Sequence, residues 1–218
     1  MAAGRVLRLR GDDEALELEA RAVASGARLW STEIPTGLPP AEKRLVGDVV
    51  RGGVAAGERY IAVSTGLTVH VLDAATGARL SSLHLAGRFP ASHRLAVDGD
   101  RVYFDTEDES ELPASVFHLH AVELPGGAEA WRSPALSGIV TDFPPIGVDA
   151  DSILVSSSEI LYALDRATGA VRWSWGWPLP AALVPMFVRP SPDEPLVVVA
   201  AAPSDAAHGG PPPLVLFR

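Results

Sequence analysis

The chain has no cysteine and only one lysine, Lys43, in 218 residues. Without cysteine there can be no disulfide, no thiolate nucleophile and no cysteine-ligated zinc or haem. That absence does not report the compartment, because exported proteins can also lack cysteine. Long hydrophobic runs are missing too: the longest, from Pro195 to Pro203, is about half of the ~18 residues that a spanning helix needs, so no transmembrane segment is expected. The opening MAAGRVLRLRGDDE lacks the continuous apolar core and small-residue cleavage site of a secretory signal. Localisation stays open on that basis: cytoplasmic, or periplasmic or extracellular if the chain is a piece of an exported protein. A formal charge of -9, with arginines scattered rather than gathered in a stripe, argues against a nucleic-acid partner.

What is present is punctuation and apolar content. Twenty glycines and nineteen prolines break the chain into short runs such as RYIAVS, RVYF, SILVS and LVVVAAA, which read as strands rather than helices. With 47% apolar residues the chain can bury a sizeable core. The expected class is all-β.

One turn recurs. Aligning on the glycine of LDRATGAVRW brings together Gly26 (AVASGARLW), Gly77 (VLDAATGARLS), Gly127 (AVELPGGAEAW) and Gly169. Four residues after each glycine stand Trp30, Ser81, Trp131 and Trp173, and four residues before it stand Ala22, Asp73, Glu123 and Asp165. The aspartate can accept hydrogen bonds from the amides of its own turn, and the glycine can adopt the left-handed conformation that closes a bulged hairpin. A second series of turns, at residues 2–5, 55–58, 98–101, 149–152 and 192–195, precedes strong apolar strands and interleaves with the first. Two interleaved series at a period of roughly 40 to 50 residues predict a four-stranded unit repeated around an axis, a β-propeller.

The motif resembles the PQQ-like (quinoprotein alcohol dehydrogenase-like) propeller repeat, whose blades end in A-x-D-x-x-T-G-x-x-x-W. Ala163, Asp165, Thr168, Gly169 and Trp173 match it fully; Asp73, Thr76 and Gly77 match with Ser81 in place of the tryptophan, and the turns at Gly26 and Gly127 keep Trp30 and Trp131. The resemblance implies four-stranded antiparallel blades in an incomplete or open arc of about four to five. The whole of 1–218 reads as a single segment: a partial first blade over 4–34, blades over 48–85, 93–134 and 140–175, and a partial last blade over 185–218. Such an arc exposes strand edges and two apolar blade faces. The chain is therefore expected to belong to a longer polypeptide, or to associate through its end blades.

The repeat residues, Trp30, Asp73, Thr76, Gly77, Trp131, Asp165, Thr168, Gly169 and Trp173, read as structural. No catalytic, cofactor-binding or metal-ligating residue is identified. His118 and His120 lie two apart on a strand, as a metal pair would, but with no third ligand they read as two imidazoles on a solvated face. The run Asp105–Glu111 lacks the glycine and spacing of a calcium loop and reads as a solvated extension of a hairpin, while Ser204–Pro213 interrupts another hairpin. No glycine-flanked serine elbow, phosphate loop or dinucleotide fingerprint is present. Quinoprotein dehydrogenases hold a quinone and a calcium ion in the central funnel, and the resemblance carries over the scaffold without that cofactor shell. The function expected is a non-catalytic scaffold or recognition module with an unidentified protein partner. A fragment of a quinone-dependent dehydrogenase is the alternative, and a carbohydrate-binding propeller using Trp175 and Trp177 is the second.

Overall fold

The computed structural model describes residues 4–11, 15–36, 53–65, 68–85, 88–108, 116–138, 146–157, 160–176, 184–188, 197–201 and 214–217. Every regular element in them is a strand, and the strands form five antiparallel sheets. Blade I contains β1 (Arg5–Gly11), β2 (Ala15–Ala22) and β3 (Arg28–Pro35). Blade II runs β4 (Val54–Ala56), β5 (Tyr60–Thr65), β6 (Thr68–Asp73), β7 (Arg79–His84). Blade III runs β8 (Arg88–Asp98), β9 (Arg101–Asp108), β10 (Val116–Glu123), β11 (Glu129–Arg132), with the short β12 (Leu136–Ser137) also paired to β10. Blade IV runs β13 (Gly147–Val148), β14 (Ser152–Ser156), β15 (Ile160–Asp165), β16 (Val171–Gly176), and a last sheet holds β17 (Val184–Val188), β18 (Val197–Ala201) and β19 (Leu214–Phe217). This is the all-β partial propeller arc that the repeat predicts.

The hydrophobic core lies at the seams between blades. Leu16, Leu18 and Ile34 of blade I pack on Ile61, Val63 and Leu72 of blade II. Tyr60, Ala62, Val69 and Val71 of blade II meet Leu95, Val102, Phe104 and Val122 of blade III. Tyr103, Phe117, Leu119 and Trp131 of blade III meet Ile153, Val155, Tyr162 and Leu164 of blade IV. The two middle strands of blades II to IV are thus buried on both faces, and β5 is buried at every residue. Half-buried alternation, the reading from the sequence, fails there because a middle strand has a blade on each side.

Antiparallel pairing fixes where the connections emerge. The links from first to second strand and from third to fourth leave one end of the blades, and the remaining links leave the other. At the first end the repeated turn has one construction. The amide of Gly169 donates to Asp165 O at 2.8 Å and that of Asp165 to Ala170 O at 2.7 Å, and Gly77 with Asp73 repeats both bonds. All four turn glycines have positive φ, from +67° to +81°. A register shift accompanies each turn at the same place: one extra residue, Leu29, Leu80, Ala130 or Arg172, lies in the outgoing strand opposite the step between Ala20 and Arg21, Val71 and Leu72, Ala121 and Val122, or Ala163 and Leu164.

Candidate functional site

The sequence motif divides into two kinds of contact. Asp165 Oδ1 accepts from the amides of Ala167 and Thr168 and from Thr168 Oγ1, each at 3.0 Å, and Asp73 does the same with Ala75 and Thr76 at 2.8 to 3.0 Å. Arg172 also binds Asp165, with Nη2 at 2.6 Å. That guanidinium, followed by the Thr168 hydroxyl and the turn amides, lowers the Asp165 carboxyl to about 2. These bonds are consumed inside the turn and leave it little chemistry to offer outward.

The tryptophans and glycines act across seams. A Cβ on Gly77 would lie 2.5 Å from Cε3 of Trp30, one blade earlier, and a Cβ on Gly169 would lie 2.4 Å from Cε3 of Trp131. Only glycine permits that approach at this backbone conformation. The indole N–H then donates to the next blade: Trp30 Nε1 to Ala74 O at 3.3 Å, and Trp131 Nε1 to Arg166 O at 3.0 Å. The same carbonyls accept a second bond from an arginine that opens a strand of the donor blade, Arg5 of β1 for Ala74 and Arg101 of β9 for Arg166. Trp173 differs, with 47% of its surface exposed.

Residues the motif does not contain form a second repeated feature. Seven positions before the turn glycine stand His70 and His120, both buried. His70 Nε2 lies 2.9 Å from Thr65 Oγ1 and its Nδ1 3.0 Å from Ser82 Oγ. His120 Nε2 lies 2.8 Å from Thr106 Oγ1 and its Nδ1 2.8 Å from Glu129 Oε2. Burial, with Arg79 adding to it, lowers the His70 imidazole below its ordinary range against a smaller opposing effect of the Pro35 carbonyl. His118 is buried as well, its Nδ1 3.0 Å from Ser133 O. The solvated face expected for His118 and His120 is therefore corrected: the central strand is covered on both sides, and each imidazole meets protein polar groups.

The acidic run is corrected in the same way at its start. Asp105 lies in β9, fully buried, and pairs with the equally buried Arg94 at Nε, 2.8 Å away, and at Nη2. Arg94 Nη1 continues across the seam to Ser156 O in blade IV at 2.7 Å. Burial, and then the neighbouring Asp105 carboxylate, push Glu107 up. The rest of that run from 109 onward, Trp177 and Ser204–Pro213 lie outside the described residues; Trp175 is half-buried on β16.

Two open grooves mark the turn end. One of about 430 Å³ is lined by Asp98, Asp100, Arg101, Glu123, Leu124 and Arg166, and one of about 420 Å³ by Gly57, Glu58, Arg59, Val97 and Asp98. Their charges already bridge blades: Arg166 to Asp98, and Arg59 to Asp100 at 3.0 Å. Among the described residues no three histidines or carboxylates come together as metal ligands, and no helix is long and apolar enough to cross a membrane. The inner strands β4 and β13 present Val54, Ala55, Ala56, Gly147 and Val148, which carry no charged or oxygen-bearing side chain of the kind a calcium ion or a quinone carboxylate requires. On the inner strand β8 of blade III, the Arg94 guanidinium is paired with Asp105.

Three solved structures illustrate the likeness of fold. A europium-containing methanol dehydrogenase superposes with TM-score 0.59 at 14% identity, over 92% of this chain and 49% of that one. BamB from Moraxella catarrhalis gives 0.56 at 20% identity, over 89% and 55%. A quinohemoprotein alcohol dehydrogenase from Comamonas testosteroni gives 0.56 at 16%, over 92% and 40%. At these identities the likeness is one of fold alone, and the chain spans about half the length of the first two structures. No curated protein matches by sequence. The family described as outer membrane protein assembly factor BamB matches residues 15–116 and again 116–207, which is most of the chain. By its turns, its seams and this double match, the chain belongs to that PQQ-like propeller family.

Proposed function

We propose that residues 1–218 act as one non-catalytic propeller segment that recognises another protein, with the repeat residues Trp30, Asp73, Thr76, Gly77, Trp131, Asp165, Thr168, Gly169 and Trp173 serving the scaffold. The family's description, an assembly factor for outer membrane proteins, supports a protein as the partner. The observation that carries the reading is the inequality of the two ends of the arc. At the turn end of blades I to IV, the links are short, and the Asp73 and Asp165 turns spend their polar groups internally. The opposite end receives the long connections, residues 36–53, 109–115, 138–146, 177–183 and 202–213. Recognition generally sits on such loops, held by a rigid sheet scaffold.

Photo-crosslinking in cells tests this directly. A photoreactive residue at Leu112 or Ala206 should give protein-sized adducts, whereas one at Ala75 or Ala167 should give none. Adducts from the turn end alone would refute the assignment. The catalytic alternative has its own measurement: after mixing with pyrroloquinoline quinone and Ca²⁺ and gel filtration, the scaffold reading requires no retained quinone absorbance, and stoichiometric retention would overturn it.

A further inference from the structure

The polar contacts at the turn end of a seam can be compared position by position. Across the seams I–II and III–IV, a carbonyl three residues before the turn glycine accepts from a tryptophan and from an arginine of the preceding blade. Ala74 O accepts from Trp30 and Arg5, and Arg166 O from Trp131 and Arg101. Across the seam II–III the corresponding positions hold Ser81, Tyr60 and Leu124. Strand register fixes the match: Arg5, Tyr60 and Arg101 pair with Ala22, Asp73 and Glu123, each four residues before a turn glycine.

Neither donor is replaced at II–III. Ser81 Oγ is buried without a partner among the described residues, and Tyr60 packs into the apolar seam with Val102 and Val122. Among the described residues Leu124 O therefore receives neither an indole nor a guanidinium. Arg59, next to Tyr60, goes instead to Asp100 at 3.0 Å, with the two side chains 69% and 62% exposed. An ion pair so open to water adds little. Leu83 against Gly127 keeps the apolar contact, so blades II and III remain packed while the directional bonds of the neighbouring seams are missing. A buried hydroxyl left unpaired carries a desolvation cost, and the absence of one or two ordinary hydrogen bonds shifts a local opening equilibrium by about five- to thirtyfold.

We propose that the seam between blades II and III is a joint in the arc, which opens at its turn end more readily than the seams on either side. Opening bares Val71, Val122 and Leu124, which the closed seam buries. The lack of cysteine in the chain makes single-thiol labelling a direct test. Ala20, Val71 and Ala121 are fully buried and pair with Trp30, Ser81 and Trp131, so a cysteine at each reports one seam. In the native full chain, Val71→Cys should react with DTNB about tenfold faster than Ala20→Cys or Ala121→Cys, because reaction waits for local opening. Rates within about threefold of one another, or a slower reaction at position 71, would overturn the proposal. A second variant separates the joint from any effect of the cysteine itself. Adding Ser81→Trp with Leu83→Thr, the residues of blade I at 30 and 32, to Val71→Cys should slow labelling about tenfold, and a folded graft with an unchanged rate would overturn the proposal. The comparison of the three single-cysteine chains decides the matter whether or not that graft folds.

Discussion

Replacing Trp131 by alanine removes the side chain that closes the seam between blades III and IV. The indole is only 8% exposed, its ring centroid lies 6.0 Å from that of Tyr103, and its N–H reaches Arg166 O at 3.0 Å. Emptying a buried tryptophan site costs about 3 to 5 kcal/mol. Arg166 O keeps its bond from Arg101, so no orphaned carbonyl is added and the lower part of that range applies. For a chain of this length each kcal/mol moves the midpoint by about 2 to 4 °C, which puts the loss near 10 °C. Trp173→Ala is the control at the same motif position: with 47% of its surface already in water, it should cost about 1 kcal/mol. Trp131→Phe should fall between them, losing mainly the indole hydrogen bond, about 1 kcal/mol. Thermal and urea unfolding followed by circular dichroism measure all three. Equal losses for Trp131→Ala and Trp173→Ala would show that the motif tryptophan stabilises its own hairpin rather than the seam, and would refute the seam as the source of its stability.

The glycines permit a matched pair of substitutions. Gly169 and Gly26 share a positive φ, +73° and +67°, but a Cβ on Gly169 collides with Trp131 while one on Gly26 meets nothing within 4 Å. Gly26→Ala should therefore lose only the backbone term of about 1 to 2 kcal/mol, and Gly169→Ala should lose a further 1 to 3 kcal/mol from overpacking; identical urea midpoints would contradict the seam contact. His70 makes a prediction in pH. Its imidazole is lowered by burial and by Arg79 from the ordinary 6.5, so the unfolded chain binds the proton more readily than the folded one. The stabilisation is complete above that ordinary value and is lost as pH falls below it. Urea midpoints at pH 7.5 and 5.0, on either side of that value, should differ less in His70→Gln than in the parent, and an unchanged difference would refute the assignment.

How far these features can be read from the residues depends on how local their physics is. The Asp73 and Asp165 side chains find their turn partners no more than seven residues away, so residue types at fixed spacing suffice to predict both the turn and the bulge that follows it. The seam is legible only in part. Trp131 announces a large apolar group, but Gly169, the residue it covers, lies one repeat further on, and nothing in the spacing of a single motif links them. His70 and His120 escape the motif because their hydroxyl partners, Thr65 and Thr106, sit on the neighbouring strand. Aligning strand register across repeats is the operation that finds them. Asp105 looks like the head of a solvated acidic run because Arg94, its partner, lies within the irregular stretch of β8, between Pro90 and Leu95, where no regular register links the two.

Blade II shows how a seam survives loss of its tryptophan. Ser81 stands four residues after Gly77, and its hydroxyl is buried without a partner among the described residues, so it cannot take over the indole's bond to the next blade. Two residues further along the same face, Leu83 Cδ2 lies 2.4 Å from the position a Cβ would take on Gly127. Blade I shows that this second position was already part of the contact: Thr32, the counterpart of Leu83, donates to Gly77 O at 2.6 Å and lies beside Trp30 against the same glycine. The turn glycine is therefore covered by two successive residues of one strand face, and a seam needs only one of them to be large. The degenerate motif at Ser81 thus records a contact moved along the strand by one step of the pleat, with the blade-to-blade packing kept.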